Sequence, residues 1–137
     1  AWTKGKSAVE LSSKKQEAYD LEAHAFNRLV KAELLRTNDI CFGPTPVHHE
    51  LQFHFDTILH ASSIDFFDQP VSLHKPHRHR KLRQSKYALT HAVELTKRVL
   101  DKRGFFQQVS GKRAWSALVK RAQDSVVSLP SQVRAGR

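Results

Sequence analysis

The sequence predicts an all-α fold: about four helices in a small bundle or two helical hairpins, with an extended basic connector and a basic C-terminal tail. Three observations lead there. Apolar residues recur every three or four positions along four stretches, the spacing of one helix face. Start and stop residues stand at the ends of those stretches. Five Gly and five Pro in 137 residues leave little material for the turns of an all-β fold. An apolar fraction of 39% with 26% charged residues suits a chain that buries a core. The expected organisation is an N-terminal helical hairpin over 1–68, a Pro/His/Arg-rich connector over 69–81, and a basic hairpin and tail over 82–137. These parts would form one compact unit or a subunit ordered by its partners.

Residues 1–7 read as a basic lead-in, followed by a capping box in which Ser7 and Glu10 satisfy each other's backbone N–H groups. A first helix is expected from there to about residue 36, because neither Gly nor Pro interrupts. Tyr19, Ala23, Phe26, Val30 and Leu34, broadened by Ala25 and Leu29, would make its apolar face. Thr37, Asn38 and Asp39 end it. Thr45 as N-cap and Pro46 at the first helical position predict a second helix reaching about residue 61, with Val47, Leu51, Phe55, Ile58 and Leu59 inward. Residues 64–67 are expected to add a short turn, with Phe66 and Phe67 plugging a core or docking on a neighbour.

The connector carries two Pro and three His within a growing run of positive charge. A third helix follows over about 82–103. Leu82, Leu89, Ala92, Val93, Thr96, Val99 and Leu100 form its stripe, and Gly104 stands just past its end. Lys97, Arg98, Lys102 and Arg103 suit the negative end of its dipole. Phe105 and Phe106 are expected to pack into the core or a partner. A fourth helix over about 112–128 would turn Trp115, Val119, Ala122 and Val126 to one side.

Charge is distributed unevenly. Residues 1–74 carry seven Lys/Arg against ten Asp/Glu, a balance of −3; residues 75–137 carry sixteen against three, a balance of +13. No acidic residue lies between Asp68 and Glu94. A chain so divided attracts a polyanion and orients it. The blander alternative is that the cations merely solvate helices, but such faces usually mix both signs.

The nine His invite a metal or acid–base reading. His49-Glu50-Leu51-Gln52-Phe53-His54 approaches the zinc-protease pattern H-E-x-x-H, yet Phe53 occupies the place of the second ligand. His54 lies about 140° around a helix from His49, so one ion cannot be held by both. Glu50 with His54, and Asp20 with His24, read instead as helix-surface hydrogen bonds. His74, His77 and His79 stand among Lys75, Arg78, Arg80 and Lys81, which repel a cation and suit phosphate or carboxylate. A plain solvated linker is the alternative there. No metal ligands, catalytic residues or cofactor are expected.

Cys41, the single cysteine, excludes an internal disulfide and reads as a small buried residue between Ile40 and Phe42. No apolar run is long enough to form a transmembrane segment. The sequence starts at Ala1 and lacks Met, which initiator removal, a cleaved targeting peptide or a late start would each explain. A cleaved transit peptide would place the protein in the mitochondrial matrix or a similar organelle interior; the nucleus is the alternative.

Phosphate-cradling and nucleophile-elbow glycine patterns are absent, as are zinc-finger ligands, the aromatic motifs of RNA-recognition modules and a heptad zipper. A helix-turn-helix drawn around Gly104 needs a shorter connector than 104–111. The expectation is therefore a non-enzymatic structural subunit of a ribonucleoprotein, organellar-ribosome-like, contacting RNA phosphate through its basic half and neighbouring protein subunits through the other. The contact residues expected are Lys75, His77, Arg78, His79, Arg80, Lys81, Arg83, Lys86, Lys112, Arg113, Lys120 and Arg121. The alternative is an accessory subunit of a mitochondrial membrane energy-converting complex, docking on acidic protein or lipid head groups. A DNA-binding helical module is a third class, and an enzyme the last.

Overall fold

Helix-forming residues around Glu10 open the chain in α1 (Ala8–Asp20). In the computed structural model, which describes residues 8–70, 72–73, 75 and 86–127, α2 (Ala32–Thr37), α3 (Glu50–His60), α4 (Lys86–Lys102) and α5 (Lys112–Val127) follow. Two 3-10 turns, Ala25–Asn27 and Phe105–Gln107, complete the regular structure, and no strand occurs among the described residues. The all-α expectation holds, in a small helical bundle. Ser7, Leu82 and most of the connector lie outside the described residues.

The axis of the bundle is α3. All nine residues from Leu51 to Leu59 are buried, because α1, α2, the first 3-10 turn and α4 all pack around it. Phe55 is the hub of the core. Its ring stacks on Tyr19 at 5.5 Å and meets the edges of Phe105 and Trp115 at 5.6 and 5.3 Å. Offset and edge-on pairs of this kind each add about 0.5–1.5 kcal/mol beyond area burial. Leu51, Ile58, Ala92, Val93, Leu100, Leu118 and Ala122 close the same cluster, so helices from both halves of the chain share one core. Phe105 lies wholly inside it and Phe106 packs on its margin.

The long first helix does not form. The chain leaves α1 at Leu21, makes the 3-10 turn, and is extended at Arg28 before α2. A helix over 8–36 would be about 43 Å long, with nothing to cover its second half. Local side chains take over the carbonyls that it would have used. Asn27 Nδ2 donates to Glu22 O at 2.9 Å, and Arg28 Nε donates to His24 O at 3.1 Å. Leu29, expected inward, is fully exposed. His24 consequently pairs with Glu22 at 2.7 Å rather than with Asp20.

Three smaller expectations also fail. The second long helix starts at Glu50, with His49 as N-cap, instead of at Pro46. His48 takes a left-handed φ of 59°, and Gly43 N–H donates to His49 O at 2.9 Å, so residues 43–49 make a closed loop. Residues 64–67 form no turn: Ile64 packs on the core while Phe66 and Phe67 stay exposed. Cys41 is exposed, because Ile40 turns inward and Phe42 stacks on Phe53 at 4.6 Å, leaving the residue between them outward.

Between α4 and α5 two glycines carry the turn. Gly104, with φ of +78°, ends α4 in the left-handed conformation. Gly111 has φ of +87°, and a Cβ there would come within 2.6 Å of the Tyr19 ring and 3.0 Å of Phe105. The start of α5 can approach the core this closely only because residue 111 lacks a side chain.

Candidate nucleic-acid interface

Amphipathic spacing decides which cations are available to a partner. On α5, Trp115, Leu118 and Ala122 fall on one side and are buried. At about 100° per residue, Arg113 and Lys120 fall opposite that side and Lys112 and Arg121 on its two flanks, and all four are exposed. Asp124 is the one carboxylate of α5. Arg113 and Lys120, seven residues apart, point in nearly the same direction. Arg113 Nη2 lies 3.6 Å from Asp20 Oδ2 at the end of α1, with the guanidinium 93% exposed. Such a pair is worth little in water.

Three further cations, Lys97, Arg98 and Lys102, lie on the exposed side of α4, interleaved with Glu94 and Asp101. They are absent from the expected contact set because their fit to the helix dipole already accounts for them. Their spacing opposite Ala92, Val93, Thr96 and Leu100 was the signal that could have added them. Of the other expected contacts, Lys75 is exposed and belongs to no helix, and Lys86 is the first residue of α4. His77, Arg78, His79, Arg80, Lys81 and Arg83 lie outside the described residues, as does His74.

Two arginines are structural. Arg103 turns into the protein, where Nη1 donates to Asn38 O, Nη2 donates to Asp39 O at 2.8 Å, and Nε lies 3.2 Å from Asp56 Oδ2. It thereby ties the end of α4 to α3 and to the loop after α2. Asp56 has no exposed surface, and its Oδ1 lies 3.0 Å from His60 Nδ1. Neither carboxylate oxygen receives an aligned hydrogen bond, so charge rather than direction holds this cluster. Burial pushes the Asp56 carboxyl above the usual range, against the pull of Arg103 and His60.

Arg28 is the second. Its Nη2 donates to His54 Nδ1 at 2.8 Å, and His54 Nε2 donates to Tyr19 O at 3.2 Å. These partners define the neutral imidazole with its proton on Nε2. Burial first, and the Arg28 charge second, push the His54 pKa down to about 4. His54 is therefore a core histidine and makes no surface bond to Glu50. Lys15 likewise donates to Leu59 O at 2.8 Å, a cation at the negative end of α3.

Among the described residues no group of three His, Cys, Asp or Glu is placed to hold a metal ion, and no helix is long and apolar enough to cross a membrane. The fold and the outward cations thus define a small helical bundle with a basic face. Compared with protein families, curated proteins and solved structures, the chain matches none.

Proposed function

We propose that this protein is a non-enzymatic structural subunit of a ribonucleoprotein, such as an organellar ribosome, and that its basic half holds RNA phosphate. The observation that carries this reading is the solvent face of α5, where Lys112, Arg113, Lys120 and Arg121 are exposed around a single carboxylate, Asp124. Lys97, Arg98 and Lys102 of α4 and Lys75 of the connector extend the supply of exposed cations. Phosphate contacts need charge and reach rather than a fixed motif, so helical faces of this kind suffice for them. The N-terminal half supports the other side of the reading: Leu29, Phe66 and Phe67 are exposed apolar groups for a neighbouring protein subunit to cover.

The test is to measure binding of the full chain to a structured RNA and to phosphatidylserine vesicles at matched ionic strength. Salt-sensitive RNA binding with weaker vesicle binding is the expected outcome. Vesicle binding without RNA binding would replace this reading with the membrane-complex accessory subunit.

A further inference from the structure

We propose that α5 takes the backbone of base-paired RNA rather than unpaired bases. This rests on the RNA reading above and deepens it. Proteins that hold single strands stack bases on exposed aromatic rings, whereas duplex RNA is read by shape, through phosphates and 2′-hydroxyls. The exposed half of α5 offers cations, the carboxylate of Asp124 and small or polar side chains but no ring. Its aromatic residue, Trp115, is buried, with ring contacts to Phe55 and Phe106 at 5.3 and 5.5 Å. Phe105, on the preceding turn, is wholly inside the core.

The spacing of the cations points the same way. Lys112 and Arg113 form one pair and Lys120 and Arg121 another, about 12 Å apart along the axis at 1.5 Å per residue, with Arg113 and Lys120 facing the same way and Lys112 and Arg121 on opposite flanks. Each pair therefore meets different phosphates. The turn between them carries Ser116 and Ala117, both exposed and short. Long cations at either end of a low saddle let a regular backbone approach the helix closely. Ser116 adds a hydroxyl able to exchange a hydrogen bond with a 2′-hydroxyl. A flexible single strand gains nothing from this shape.

The experiment is a fluorescence-anisotropy titration of the full chain with an RNA duplex and with each of its separated strands, at one salt concentration. Three variants are compared with wild type: Lys120→Glu with Arg121→Glu, Ala117→Glu, and Ala32→Glu as a charge control at an exposed position on α2, which packs on α3. Circular dichroism checks that each is folded, as expected for exposed positions. The duplex is expected to bind roughly tenfold tighter than the strands, equivalent to about 1.4 kcal/mol. The double variant and Ala117→Glu should each remove most of that preference, and Ala32→Glu little of it. Strands binding as tightly as the duplex, with a normal salt response, would overturn this inference and leave the RNA reading standing. Absence of salt-sensitive binding to either form would overturn both.

Discussion

Arg103 brings its Nε to within 3.2 Å of Oδ2 of Asp56, a carboxylate with no exposed surface. A basic residue at the end of a basic helix is thus a structural tie, not part of the outward charge. Changing Arg103 to Ala leaves the Asp56 charge buried without that partner and should lower stability by about 3 kcal/mol. Adding Asp56→Asn should recover part of the loss, because the charge that needed a partner is gone. Urea unfolding of the single and double variants measures the coupling. Strictly additive effects would mean that the two groups do not interact.

Gly104 and Gly111 share a left-handed backbone but differ in surroundings, which predicts unequal responses to Ala. At Gly104 the nearest group to an added Cβ is Gln107 Oε1 at 3.7 Å, so only the backbone strain of about 1–2 kcal/mol applies. At Gly111 the methyl would also collide with Tyr19 and Phe105, and the loss should be about 3 kcal/mol or more. Thermal unfolding of both variants checks the order. Equal shifts in Tm would show that the core yields around Gly111.

His54 makes stability depend on pH. Its folded pKa of about 4 lies below the ordinary value of 6.5, so the unfolded chain binds the proton more readily. The stabilisation from neutral His54 is full above pH 6.5 and is lost as pH falls from 6.5 toward 4. The whole swing is on the order of 3 kcal/mol. Asp56, with its raised pKa, acts in the opposite sense, stabilising the fold as it gains a proton on acidification. Comparison with His54→Gln isolates the histidine. That variant should be less stable at pH 7 yet show a flatter profile between pH 6.5 and 4.

These residues also mark where the sequence was readable and where it was not. Periodicity located α4 and α5, because each buries one regular stripe, and Gly104 marked the end of α4. Neither Gly nor Pro marks the break at Leu21. The chain beyond it is held by local side-chain bonds to Glu22 and His24 and by the distant pairing of Arg28 with His54, 26 residues on, which residue spacing does not encode. The four α5 cations were legible because polar positions opposite an apolar stripe must face solvent. The inward roles of Arg28 and Arg103 were not, since their partners come from other elements.

Asp20 and Arg113 make a testable competition. The carboxylate lies 3.6 Å from a guanidinium proposed to meet RNA phosphate, so Asp20→Asn should free Arg113 and remove a repelling charge. The expected gain in RNA affinity is about twofold to fivefold at low salt, in keeping with an exposed pair worth under about 1 kcal/mol. Anisotropy at two salt concentrations reads it, and the gain should shrink at the higher one. Weaker RNA binding by the folded variant would place Arg113 outside the interface.

The central claim is that the outward cations of the basic half hold RNA phosphate. Its most direct test is the slope of log affinity against log salt for a structured RNA, comparing wild type with the variant changed to Ala at Lys112, Arg113, Lys120 and Arg121. The slope should fall by about one unit for each phosphate no longer neutralised, while the variant's Tm stays near that of wild type. An unchanged slope and affinity in the folded variant would contradict the claim for α5.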